Sequence, residues 1–447
     1  MELVKLTSQD IEKCLLLKTI NERKSFYQKP CVNLLKKYKS LVCQIFTRGG
    51  KTFIGLNCII EYQKSQSKRI CIVVPSETIK NEWLKYLAEF NINTVNIEIY
   101  IINSYTSKNN IIDKDYGLLI VDETHRCLSE SVYFSQTIPS TKYDYLLCLS
   151  GSLDKEKLDK LKELNIKCNY QIPLEIGYKL QVIPEYITYN IPIQLTNEEK
   201  IEYVKLQTEY NKCIRIFESY STLQTAYIIS SCVKGNSTIR VLGKITTGNK
   251  LANEISIILN YSVGQVIGTA KKFNYIIFER SKLLYNAKNK LRYLYNNYKH
   301  LPLEQKLIFT YKTDYADLLS TKLDSSKSFH SKITKKNKQI VLDSFKNKEF
   351  LNLITCKSIS EGFTTDCGLA IKLYFDSKQI SAMQQMGRLL KLDENNPDKV
   401  ARMINIYTDD FIINGIEYKS QEKAWLKSSQ YKMMFVEWID NITEIQW

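Results

Sequence analysis

One short segment limits what this chain can fold into more than any other. Residues 47–52 read Thr-Arg-Gly-Gly-Lys-Thr, with an apolar run, Leu41–Phe46, leading in and a helix-forming stretch, Lys51–Tyr62, leading out. Paired glycines let the backbone turn tightly, so that N–H groups converge on phosphate oxygens at a helix N-terminus. A lysine there reaches β- and γ-phosphates, and the hydroxyl after it suits Mg2+. Ile45 stands where the pattern G-x-x-x-x-G-K-[ST] has its first glycine, so taken alone the segment fits an ordinary Gly-Gly-Lys turn equally well.

A second segment bears on that choice. Gly117-Leu-Leu-Ile-Val reads as a buried strand, and Asp122-Glu-Thr-His125 follows it. Ligands of parallel sheets sit at the C-terminal ends of strands. Asp122 there suits Mg2+ through water, and Glu123 suits orienting and deprotonating an attacking water. The competing reading, a solvated acidic loop after a core strand, must now hold beside a chance glycine turn, in the right order.

The 447 residues suggest two or three domains. Short apolar runs at Leu41–Phe46, Ile70–Val74, Ile97–Ile102, Leu118–Val121 and Tyr145–Leu149 alternate with helical stretches such as Glu77–Glu89. The same alternation returns at Lys306–Phe309, Leu351–Thr355, Ala370–Phe375 and Met403–Tyr407. Both halves predict α/β domains with parallel sheets. Between them, from about 196 to 299, the pattern is helical and charged. We therefore expect a first domain over 1–170, a second over 171–410 holding that helical insertion, and a tail over 411–447. The tail carries Trp425, Trp438 and Trp447 and predicts a short helix docked by aromatic contacts.

Composition narrows the partners. Lys and Arg outnumber Asp and Glu by 63 to 47, a formal net charge of +16, which points to a polyanion, most often nucleic acid. No run approaches a membrane span, and the N-terminus lacks a secretory pattern, so a cytoplasmic location is expected. The 12 cysteines stand singly, without a C-x-x-C pair, and read as small buried hydrophobes in a reducing compartment. The recurrent Asn, Ile, Lys and Tyr have A/T-rich codons, a bias that suits a phage or other virus, placing the protein in host cytoplasm.

In order along the chain, these and further segments resemble the motifs of superfamily 2 helicases, the DExH/D-box ATPases with two RecA-like domains. Thr47–Thr52 resembles motif I, usually Thr-Gly-x-Gly-Lys-Thr, and Asp122-Glu-Thr-His125 resembles motif II. Gln28 resembles the glutamine that reads adenine. Val73-Val-Pro-Ser76 with Trp83 is similar to motif Ia, Asn103-Ser-Tyr105 to Ib, and Leu149-Ser-Gly-Ser152 to III. Ile308-Phe-Thr310 is similar to motif IV, Ser360-Glu-Gly-Phe363 to V, and Gln384-Gln-Met-Gly-Arg388-Leu-Leu-Lys391 to VI. The run Leu342-Asp-Ser-Phe345-Lys346 ahead of Glu-Gly is similar to the UvsW-like, XPB-like and restriction-translocase group.

The resemblance implies two RecA-like P-loop NTPase domains with ATP and Mg2+ in the cleft between them. By it, Gln28, Thr47, Arg48, Gly49, Gly50, Lys51, Thr52, Gly362 and Arg388 hold the nucleotide. Thr52 and Asp122 hold the metal, and Lys51, Glu123, Gln384 and Arg388 are catalytic. It implies nucleic acid, DNA favoured over RNA, lying across both domains, with Ser76, Ser104 and Thr310 suited to backbone phosphates. A monomer is expected, with replication or repair proteins as further partners. Four residues depart from the family: Arg48 for a glycine, Thr364 for an aspartate, and Gln385 and Lys391 for arginines. Ile45, Arg48, Gln385 and Lys391 support a second reading, a catalytically weak nucleic-acid-binding scaffold with the same fold. A third, a small-molecule kinase, needs neither motif VI nor a second α/β domain.

Overall fold

The apolar runs become the strands of two all-parallel sheets, one in each lobe of a computed structural model. The structure describes the chain outside residues 106–114, 129–133, 152, 218–237, 242–243, 357–365, 376–384, 393–397 and 431–432, and without the side chains at 216–217, 238–241, 244–246 and 335. The first sheet runs Glu2–Lys5, Cys168–Ile172, Ser40–Ile45, Lys142–Ser150, Asp115–Val121, Ile70–Val74, Ile97–Ile101. The second runs Ser326–Phe329, Asn352–Cys356, Lys306–Thr310, Leu369–Lys372, Val400–Thr408, Glu185–Ile193, Val436–Trp438. Helices cover both faces, as all-parallel sheets require.

Register places the chemistry. Val42 and Val121 both pair with Cys148, and Val73 pairs with Val121. The segments after these strands, beginning Phe46, Asp122 and Gly151, therefore leave the first sheet along one edge.

Strand Ile70–Val74 and helix Glu77–Glu89 have the limits expected from sequence. The other expected strands shift by one to three residues at their ends, where fraying and caps rather than hydrophobicity set the boundary. Strands Glu2–Lys5, Cys168–Ile172, Glu185–Ile193 and Ser326–Phe329 were not foreseen. Glu185–Ile193 escapes a hydrophobicity reading because it holds Asn190 and Pro192. Asn190 is buried in an amide ladder: its Nδ2 donates to Gln430 Oε1 at 2.9 Å, and its Oδ1 accepts from Asn405 Nδ2 at 2.9 Å. Pro192 lies past Asn190, where pairing with Val436–Trp438 ends, so its missing N–H spoils no bond on that side.

The charged middle of the chain holds helices Asn197–Phe217, Gly248–Leu259, Val263–Tyr285 and Lys288–Asn297, and a hairpin of Thr238–Val241 with Lys244–Thr247. Leu251, Ile255, Val266, Phe273 and Ile276 make a separate core. Leu284, Ala287 and Leu294 instead join the core of the second lobe. The last helix of the expected insertion is thus a layer of that lobe.

The tail is also more than a docked helix. Helix Gln421–Gln430 does bring Trp425 to Tyr285, ring centroids 6.2 Å apart. Beyond it, Val436–Trp438 adds the last strand of the second sheet. Glu422, fully buried, receives Lys290 Nζ at 2.7 Å and the N–H and hydroxyl of Thr408 at 2.8 and 2.7 Å. Among the described residues, no helix is long and apolar enough to cross a membrane.

Candidate active site

The phosphate loop follows a strand buried from Leu41 to Ile45. It closes with Gly49 N–H donating to Phe46 O at 3.0 Å and enters helix Lys51–Gln63 at Gly50, whose φ is +81°. No side chain caps that helix, so its first N–H groups face the cleft as an anion site. A Cβ at Gly50 would stand 2.3 Å from Gln28 Nε2, which leaves glycine as the residue that fits. Helix Ile20–Tyr38 braces the loop from behind: Tyr27 OH and Gln28 Nε2 both donate to Gly49 O, at 3.0 and 3.1 Å. Arg48 adopts φ +76°, a left-handed conformation that suits the family's glycine and strains an L-residue by about 1–2 kcal/mol.

Motif II faces the loop. Lys51 Nζ lies 3.8 Å from Glu123 Oε1, and His125 Nδ1 lies 3.3 Å from Glu123 Oε2. Thr124 Oγ1 donates to Val121 O at 2.8 Å and to Leu149 O at 3.2 Å, tying motif II to motif III. Asp122 is held twice, by Trp83 Nε1 at 3.0 Å and by the Glu123 N–H at 2.9 Å. Burial, and then the charge of Glu123, push the Asp122 carboxyl above the usual carboxylate range. Burial pushes Glu123 the same way, but Lys51, His125 and Arg126 together hold it below. Two acids are thus separated in character by their neighbours. The buried Asp122 carboxylate and Thr52 line the same cleft, and a carboxylate with a hydroxyl is an oxygen donor set of the kind Mg2+ takes, so the residues present fit that ion.

The second lobe supplies the other wall. Arg388, Leu390, Lys391 and Leu392 line one cleft of about 850 Å3 together with Gln28, Thr47, Arg48, Gly50, Lys51, Thr52, Asp122 and Glu123. The lobes touch there. A Cβ at Gly387 would stand 2.2 Å from Thr47 Cγ2, and Arg48 Nε donates to Gly387 O at 3.4 Å. Gln385 turns away from the cleft: it is buried in the second lobe, donating to Tyr374 OH at 3.2 Å. Lys391 pairs with Asp366 at 2.6 Å.

Gln384 and Gly362 lie outside the described residues, as do Ser152 and the rest of Ser360-Glu-Gly-Phe363. Two hydroxyls expected to face a nucleic-acid track have other work. Ser76 Oγ caps helix Glu77–Glu89 through the Ile79 N–H, and Thr310 is buried, donating to Lys312 O at 3.2 Å. Other site residues were missed. By sequence Trp83 belongs with motif Ia; in the structure it anchors Asp122. Gly55 admits it, since a Cβ there would meet Trp83 Cη2 at 2.3 Å. Glu82, Lys24 and Asn21 also line the cleft, and nothing in their sequence spacing marks them.

A phosphate loop and acidic pair in one RecA-like lobe, faced by an arginine from a second, define a two-lobed P-loop ATPase. Residues 6–155 match the family described as the res subunit of type III restriction enzymes, and residues 289–392 match the helicase conserved C-terminal domain. The chain belongs to the superfamily 2 helicases. Among solved structures, a Dbp5 variant from S. cerevisiae bound to RNA and ADP BeF3 is similar in fold, with 10% identity and a TM-score of 0.54 over 95% of this chain and 94% of that one. The helicase domain of Hef from Pyrococcus furiosus shares 13% identity over 90% of this chain and 97% of that one, with a TM-score of 0.47. No curated protein matches the sequence.

Proposed function

We propose that this protein is a nucleic-acid-stimulated ATPase that translocates along or remodels DNA. The observation that carries the reading is the single cleft in which Lys51, Thr52, Asp122 and Glu123 of one lobe meet Arg388 of the other. In this reading the loop N–H groups and Lys51 hold the β- and γ-phosphates of ATP. Gln28, whose amide N–H is engaged with Gly49, keeps its oxygen for the adenine amino group. Thr52 and Asp122 would hold Mg2+, which would supply positive charge against the phosphates. Glu123, kept ionised by Lys51 and His125, orients the attacking water and takes its proton. Arg388 stabilises charge on the γ-phosphate, and Gln384 assists it from the same motif.

Because the γ-phosphate touches both lobes, hydrolysis weakens their apposition, and nucleic acid lying across both is gripped in alternation. The match of the first lobe to a restriction-enzyme subunit favours DNA. The net charge of +16 favours sequence-tolerant, salt-sensitive backbone contacts. Cytoplasmic residence fits the described cysteines, which are free thiols and mostly buried.

The test is ATP hydrolysis measured alone and with single-stranded, duplex and forked DNA and with RNA. Stimulation by DNA is expected. Hydrolysis indifferent to every nucleic acid overturns the translocase reading. DNA binding without hydrolysis, equal in wild type and Lys51→Ala, identifies a scaffold instead.

A further inference from the structure

The arginine that stands for a glycine in the phosphate loop has a partner in the other lobe. Arg48 Nε donates to the carbonyl of Gly387, 339 residues away in sequence. That carbonyl belongs to the peptide unit whose nitrogen is Arg388. The nitrogen end of the same unit is fixed too, since Arg388 N–H donates to Gln385 O at 3.1 Å. Both ends of the plane from which Arg388 springs are therefore held, one from within its own lobe and one from the phosphate loop. A planar peptide fixed at both ends leaves its Cα little freedom.

The approach is close as well as bonded. Gly387 has room for no side chain against Thr47, so the second lobe rests on the residue next to Arg48. Arg48 also gives up the relaxed backbone a glycine would have at φ +76°. A strained residue persists where its surroundings over-determine it, and such strain clusters at functional positions. Glu82, lining the same cleft, adds a counter-charge: Arg388 and Arg48 both act on its carboxyl, whose pKa burial raises.

We propose that Arg48 is a positioning residue that acts across the lobes: by holding the Gly387 carbonyl, it sets where Arg388 stands over the phosphate loop. This rests on the reading of Arg388 as the residue that stabilises the γ-phosphate. It differs from a direct phosphate contact, because its effect passes through Arg388.

The test is steady-state ATP hydrolysis by the full chain at saturating DNA for wild type, Arg48→Gly, Arg388→Ala and the double variant, with thermal unfolding of each. Glycine suits the left-handed backbone, so Arg48→Gly is expected to unfold at no lower temperature than wild type. A misplaced reacting group of about 1 Å lowers rate by up to about a hundredfold. We expect Arg48→Gly to lower kcat about tenfold while the KM for ATP stays within about twofold. In the Arg388→Ala background the same change should then have no further effect. Multiplicative losses in the double variant overturn the proposal, as does an unchanged kcat in Arg48→Gly. So does a raised KM at unchanged kcat, which marks a direct phosphate contact, or a fall in unfolding temperature that tracks the lost rate. Full activity in Arg388→Ala alone refutes the assignment of Arg388 itself, and the inference with it.

Discussion

Glu422→Ala is expected to destabilise the second lobe by about 4 kcal/mol, although it lies in the tail and far along the chain from every motif. The figure follows from its contacts. Glu422 and Lys290 are 0% and 1% exposed, and Lys290 Nζ meets both carboxylate oxygens at 2.7 Å. Removing the carboxylate leaves Lys290 with the Leu373 carbonyl at 2.8 Å and no counter-charge from Glu422. Breaking a buried pair in this way costs about 3–5 kcal/mol. Burial has already lowered the Lys290 pKa, so the lysine can shed its proton, which limits the loss. The Thr408 N–H also loses its acceptor, adding about 1–3 kcal/mol if no water replaces it. The assay is urea unfolding followed by tryptophan fluorescence in a Trp83→Phe background, which reports on this lobe because the other three tryptophans, Trp425, Trp438 and Trp447, all lie in the tail. Lys290→Met with Glu422→Gln removes both charges and keeps an acceptor for Thr408. It should return to within about 2 kcal/mol of wild type. A loss under about 1 kcal/mol for Glu422→Ala, or a double variant no better than the single one, refutes the reasoning.

The remaining predictions concern the cleft. Gly55→Ala drives a methyl into Trp83 and should loosen its hold on Asp122, costing about 1–3 kcal/mol of stability and raising the Mg2+ concentration for half-maximal hydrolysis; an unchanged Mg2+ titration counts against Trp83 as the anchor. Glu123→Gln should lower kcat by about 10²–10⁴ while ATP still binds, read by rapid-quench hydrolysis and by retention of labelled ATP; rapid turnover in that variant removes Glu123 from its role. Gly387→Ala places a methyl against Thr47 and should lower kcat while the far-UV circular dichroism spectrum stays that of wild type, and wild-type turnover would show that the lobes do not need this close approach.

Much of the fold could be read before the structure because buried parallel strands are short, apolar and bounded by turns. Ile70–Val74 and Asp115–Val121 announce themselves in this way, as does the strand entering the phosphate loop. Where the rule fails, the strand breaks the composition. Glu185–Ile193 buries Asn190 because Gln430 and Asn405, distant in sequence, satisfy its amide. The tail strand Val436–Trp438 is only three residues long, below what periodicity can detect.

The candidate site divides along the same line. The sequence alone determines the local chemistry: a glycine turn between strand and helix, an acid pair at a strand end, and an arginine in a motif that follows a second set of strands. Each depends on backbone conformation and burial over fewer than about ten residues, the span in which hydrophobic pattern and turn residues act. Only the tertiary structure decides what these groups meet. Trp83 reaches Asp122 because register sets two strands side by side and Gly55 leaves a space for the indole. Gln385, aligned with a family arginine, points into the second lobe. Arg48, a departure by sequence, finds a carbonyl in the other lobe. Partners brought together by sheet order and lobe packing leave no periodic trace in the chain, which is why a residue that departs from the motif by sequence is seen only in the structure to reach the other lobe.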